Sequence, residues 1–223
     1  MAKKMILAGL SVFIALGFLP VPSSVPGSAA AEDKGRIIIS FMDGQVGYED
    51  YEWTEEARGY SLRVKGKMEK PLALEIEALT IRLDKSFLPT SFYFKGSVSG
   101  VAQEVTSSIN EGKVESLVLV AGQQNTSSSQ IRRDAFLLPN PIFSPYLIIA
   151  KKFRCELQGK AELSAYIIPQ IEVPLILEPK GGNPCSLDLK ISETTVNLET
   201  DKDGHFISLR IPAQSLKVTK QVP

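Results

Sequence analysis

The chain has one histidine, one tryptophan and two cysteines among 223 residues. Any Ser-His-Asp or Cys-His catalytic set has to use His205, which sits beside a hairpin turn where a surface residue is expected. Neither cysteine carries a nucleophile signature, and the pair is not a CxxC redox motif. Excess charge of one sign is also missing, with 25 Lys+Arg against 25 Asp+Glu. That removes the global electrostatic argument for nucleic acid or for an anionic membrane surface. There is no zinc-ligand spacing and no phosphate-binding glycine loop. Gly96-Ser97-Val98-Ser99-Gly100 has Val98 where a nucleophile elbow needs serine. Asp201-Lys202-Asp203-Gly204 opens like a calcium loop, but Pro212 stands where the closing acid belongs. No catalytic residue, metal or cofactor is expected. An isolated carboxylate pair, as in glycosidases, stays open.

Long apolar runs are confined to the start. Lys3 and Lys4 precede an uncharged run, Met5 to Leu19, which Pro20 breaks before Ala29-Ala30-Ala31. This is the pattern of a secretory signal cleaved after Ala31. The run is shorter than the ~20 residues of a membrane-spanning helix; an uncleaved anchor is the alternative. No cysteine follows the run at the position of a lipoprotein anchor. The expected organisation is a signal peptide over 1–31 and a single β domain over 32–223, exported to the periplasm or beyond. No transmembrane span is expected after signal removal. About 190 residues suffice for one buried core. In an exported chain Cys155 and Cys185 form a disulfide or remain two buried thiols.

What is present is alternation. Tyr60, Leu62, Val64 and Met68 alternate with Ser61, Arg63, Lys65 and Lys67. Folded about Ala57-Arg58, this segment sets Trp53 against Leu62 and Tyr51 against Val64. The same register sets Glu52 against Arg63 and Asp50 against Lys65. The acids from Glu49 to Glu56 therefore read as a solvated face. Leu74 and Ile76 give way to Leu79, Ile81 and Leu83, a phase slip that predicts a bulge near Ala78. Ala121 to Gln130 reads as a polar, flexible loop, and Asn125-Thr126-Ser127 as a sequon by pattern alone. Pro169 and Pro174 place their segment at an edge or a kink. A late hairpin turns on Asp203-Gly204, a type I′ pair, with Leu198 against Leu209, Val196 against Ile211 and Asn197 against Arg210. The fold class is mainly β: a single curved antiparallel sheet, a half-open barrel of roughly ten strands.

One segment breaks the period. Ser144-Pro145 starts a helix, with Ser144 as cap, and Tyr146, Ile149, Ala150 and Phe153 share one helical face. A helix near 144–153 is too short to persist alone. Burial of Tyr146, Ile149 and Phe153, at about 1.5–3 kcal/mol each, holds it as plug or lid. If it fills the concave sheet only partly, an apolar groove remains. The candidate lining is Trp53, Leu62, Val64, Phe92, Phe94, Tyr146, Ile149 and Phe153. A fully packed core is the other outcome.

Four stretches carry a resemblance: Asp43 to Trp53, the long meander, Leu137 to Leu147, and Asp201 to Pro212. Together they resemble uncharacterised exported bacterial proteins of the outer-membrane-lipoprotein-localisation (LolA/LolB-like) fold group. The resemblance implies a half-open antiparallel barrel with helices over its opening, and carriage of lipids or acyl chains. The lid here is reduced to about one helix, which departs from that pattern. The expected function is an exported, non-catalytic domain that binds or carries a lipid or other apolar small molecule in the cell envelope. The alternative is an envelope scaffold that meets a protein partner through exposed strand edges.

Overall fold

The computed structural model describes residues 32–221, so the expected signal segment lies outside the described residues. The alternating stretches form the strands of one open sheet. Its first arm is β1 (Glu32–Phe41), β2 (Gly44–Glu56), β3 (Gly59–Met68), β4 (Leu74–Asp84), β5 (Pro89–Val98), β6 (Val101–Asn110), β7 (Lys113–Val120) and β8 (Gln123–Gln130). After β9 (Phe136–Leu137) and the helix α1 (Tyr146–Phe153) comes the second arm. It consists of β10 (Ala161–Ile167), β11 (Ile171–Lys180), β12 (Asn183–Ile191), β13 (Thr194–Thr200), β14 (Phe206–Ile211) and β15 (Leu216–Lys220). The strand order is β8-β7-β6-β5-β4-β3-β2-β1-β15-β14-β13-β12-β11-β10-β9. Each arm is thus a meander. The two join at a central seam where the first strand pairs with the last, Ile37 opposite Lys220 and Phe41 opposite Leu216.

Fifteen strands replace the roughly ten expected from alternation. The stretch read as a flexible loop is β8, paired with β7 from Val120↔Gln123 to Lys113↔Gln130. Its residues are almost all exposed, so no apolar side chain marks one face. β9 is two residues long and pairs in parallel with β10.

The first hairpin has Tyr51↔Val64, Glu52↔Arg63 and Trp53↔Leu62, with inward Tyr51, Trp53, Leu62 and Val64 buried. Arg63 meets Glu52 at 3.4 Å. Asp50 lies opposite Lys65 in register, yet its carboxylate bonds Arg36 of β1 at 2.6 and 2.8 Å. The bulge in β4 falls between Ile76 and Ala78, and Leu79, Ile81 and Leu83 then face the core. Pro174 lies just past the β11–β12 ladder, which begins at Leu175↔Ile191, so its nitrogen lacks no ladder partner there. In the late hairpin Leu198↔Leu209 and Asn197↔Arg210 pair as expected, but the turn differs. Asp201 accepts hydrogen bonds from the backbone N–H of Asp203 and His205, and only Gly204 of the Asp203-Gly204 pair has positive φ, +77°. A type I′ turn needs positive φ at both central residues.

The helix begins at Tyr146, and Ser144 does not cap it. Tyr146, Leu147, Ile148, Ile149 and Ala150 are all buried. These five residues are apolar on every side of the helix's first turn and are enclosed on every side, while Lys151 and Lys152 carry the last turn toward the surface. Phe153 is half-buried, its ring 6.3 Å from that of Phe136 on β9. Cys155, just past the helix, is disulfide-bonded to Cys185 of β12, with 4.2 Å between their Cα atoms. Gly204 packs against the end of α1: a Cβ there would come within 2.9 Å of the Ala150 carbonyl oxygen.

Candidate functional site

The helix is docked through a carboxylate that enters from β2. Alternation along β2 points Glu49 inward with Tyr51 and Trp53, and it is 1% exposed. Glu49 Oε1 accepts from the Phe143 N–H at 2.9 Å, and Oε2 accepts from the Ser144 N–H at 2.7 Å and the Ser144 hydroxyl at 2.5 Å. The serine expected to cap the helix therefore spends its hydroxyl on the sheet. Burial raises the Glu49 pKa against the opposing pull of those donors. Among the described residues no cation lies within ion-pair distance of it. The sequence signal for Glu49 was its phase: an acid on the Tyr51–Trp53 face of β2 points into the core.

Fixing Phe143 and Ser144 in this way sets the start of α1 at one rim of the sheet. A cavity of about 210 Å³ opens there. Its walls are Leu138, Ile142 and Phe143 from the segment before α1, Ile167 and Val173 from β10 and β11, and Val196 and Ile211 from β13 and β14. Tyr146, the first residue of α1, closes one side and is 8% exposed. Its hydroxyl has no hydrogen-bond partner among the described residues. Burial pushes the Tyr146 pKa above the ordinary phenol value, so the group stays protonated. The polar residues at the cavity are Asn140, Ser192, Thr194 and Gln214.

The other end of α1 meets a second hollow of about 330 Å³, between Trp53, Tyr60, Phe87, Asp33, Lys151, Arg154 and His205. Its rings are stacked on one another, Tyr60 to Phe87 at 4.5 Å and Trp53 to Tyr60 at 5.3 Å. Asp33 pairs with Lys151 at 2.8 Å. Burial works against ionisation of Asp33, but the hydrogen bond from Lys151 and the charges of Lys151, Lys220 and His205 outweigh it and lower its pKa. His205 Nδ1 lies 2.9 Å from Asp201 Oδ2. Asp201, Asp203 and His205 could converge on a metal ion, but the Asp201 carboxylate is already engaged by the turn it forms.

The eight residues expected to line a groove do not share one cavity. Tyr146 lines the first cavity and Trp53 the second hollow. Leu62, Phe92, Phe94 and Ile149 are packed in the core at 0%, 3%, 6% and 0% exposure. Val64 is buried at 2%, under a shallow hollow on the outer face. Phe153 packs on Phe136. Sequence reasoning missed Ile142, Val173 and Val196, because a cavity between the second arm and the segment before α1 is set by how that arm packs on the segment.

Among the described residues no helix is long and apolar enough to cross a membrane. No family model matches the chain, and no curated protein matches it. The chain is similar in structure to a DUF1089 family protein from Pseudomonas aeruginosa, with a TM-score of 0.45 at 11% identity over 93% of this chain and 98% of that one. Likeness at that level carries no argument about function.

Proposed function

We propose that this protein is an exported, non-catalytic β domain that binds a lipid or other apolar small molecule in the cell envelope. The observation that carries the reading is the cavity of about 210 Å³ at the start of α1, walled by the second sheet arm and the segment before the helix, with a mainly aliphatic and aromatic lining edged by Asn140, Ser192, Thr194 and Gln214. The start of the plug is therefore not closed over by side chains, and the opening at the rim gives a small apolar group a path in. The cavity is smaller than most ligand sites, which run from ~300 Å³ upward, so the ligand is a small molecule or one end of a longer chain. The disulfide between Cys155 and Cys185 supports an oxidising compartment, in keeping with the N-terminal signal pattern.

Native mass spectrometry of gently purified protein tests this, with Val196→Phe as the variant that fills the cavity. The expected result is a copurifying apolar species in the wild type and none in the variant. Absence of any such species, with no thermal shift on adding host lipid extract, overturns the reading.

A second reading, an envelope interaction domain, draws on β8. That edge strand is exposed along nearly its whole length, and its outer backbone groups have no ladder partner among the described residues. Cross-linking in the native host to one partner through residues 123–130 would favour it.

A further inference from the structure

The lining of the cavity narrows the class of ligand, and this inference rests on the reading of the cavity as a ligand site. Tyr146 lines the cavity beside the polar side chains Asn140, Ser192, Thr194 and Gln214, and its hydroxyl has no partner among the described residues. A donor that a ligand covers without supplying an acceptor is unfavourable, and no neighbouring side chain among the described residues partners the Tyr146 hydroxyl. Burial keeps the phenol protonated. None of the fourteen described residues that line the cavity is charged. A carboxylate or phosphate moved into such a lining loses its hydration and meets no cation. A pure hydrocarbon leaves the hydroxyl unpaired.

We propose that the cavity takes a neutral molecule with an apolar body and one carbonyl-type acceptor, and that Tyr146 donates the hydrogen bond that positions it. Ketones, aldehydes, and the carbonyls of esters and amides belong to this class; free fatty acids do not. Tyr146 serves as a specificity residue, because it separates ligands of equal size by whether they accept a hydrogen bond. The step is binding alone, with no bond made or broken.

Three seven-carbon compounds test this on the full-length protein: 2-heptanone, heptane and heptanoate, with dissociation constants from ligand-observed NMR. The wild type should bind 2-heptanone roughly threefold to tenfold more tightly than heptane, the span of one net neutral hydrogen bond. Heptanoate should bind at least about tenfold more weakly than the ketone. In Tyr146→Phe the ketone should lose its advantage while heptane is unchanged. Equal binding of ketone and heptane by the wild type overturns the inference and leaves the cavity as an apolar site. Heptanoate binding as tightly as the ketone overturns it also. Binding of none of the three removes the ligand site itself, and the inference with it. The wild-type comparison stands without the variant, so a poorly folded Tyr146→Phe does not shelter the proposal.

Discussion

Glu49 and Asp33 are acids in opposite circumstances, and they give the fold opposite pH dependences. Glu49 is fully buried among neutral donors, and its pKa is raised. Its contribution is whole below the ordinary carboxylate range, ~4.3, and is lost as pH rises through the folded value. The pKa of Asp33 is lowered, with Lys151 the nearest cation. Its contribution is present above ~3.9 and is lost as pH falls toward its folded value. Urea midpoints measured from about pH 3 to about pH 9 should therefore fall at both ends. Glu49→Gln should flatten the alkaline side and leave the acid side, because an amide stands in for a protonated carboxyl. An alkaline arm that persists in Glu49→Gln would assign it to another group. Glu49→Ala leaves the N–H groups of Phe143 and Ser144 and the Ser144 hydroxyl without their acceptor, at a cost of about 3 kcal/mol in chemical denaturation.

At the scale of the element, α1 is held by what surrounds it. Eight residues do not make a stable helix alone. Ile149→Ala should cost about 2–5 kcal/mol, since Ile149 is 0% exposed at the centre of the plug. Gly204→Ala should cost about 1–3 kcal/mol, because the residue holds a φ of +77° and faces the Ala150 carbonyl. Removing the disulfide by Cys185→Ser opens a loop of 30 residues between the end of α1 and β12 and should lower stability by about 3–4 kcal/mol. Each is read as a shift in urea midpoint against the wild type. The place of α1 was legible because Ser144-Pro145 and a helical spacing interrupt a period of two. Its enclosure was also written in the text, since Leu147 and Ile148 leave no polar face, but a search for one apolar stripe passes over that. The two hairpin registers were legible because both faces of each had to agree. β8 was not, because a strand exposed on both faces bears no hydrophobic signature, and backbone pairing with β7 alone makes it a strand. The Tyr146 cavity was half legible: the helix placed Tyr146, whereas Val173 and Val196 reach it only through the packing of the second arm on the segment before α1, which no local pattern encodes.

At the scale of the molecule, the two arms depend on β15. It supplies buried Leu216 and Val218 and pairs with β1 on one side and β14 on the other. Ending the chain at Ser215 should abolish cooperative unfolding, with a loss of more than ~3–6 kcal/mol from those two side chains alone. A truncated chain that keeps its near-ultraviolet circular dichroism would show that the arms stand independently. The seam also sets the order of events when the chain first folds. Within each arm the partners are neighbours in sequence, so short loop closures complete the meanders quickly. The seam joins residue 37 to residue 220, a long-range closure between the two arms, and its loop entropy is the largest in the sheet. Until β15 pairs with β1, each half exposes the apolar face destined for the helix, so the seam is the step on which burial of that face waits.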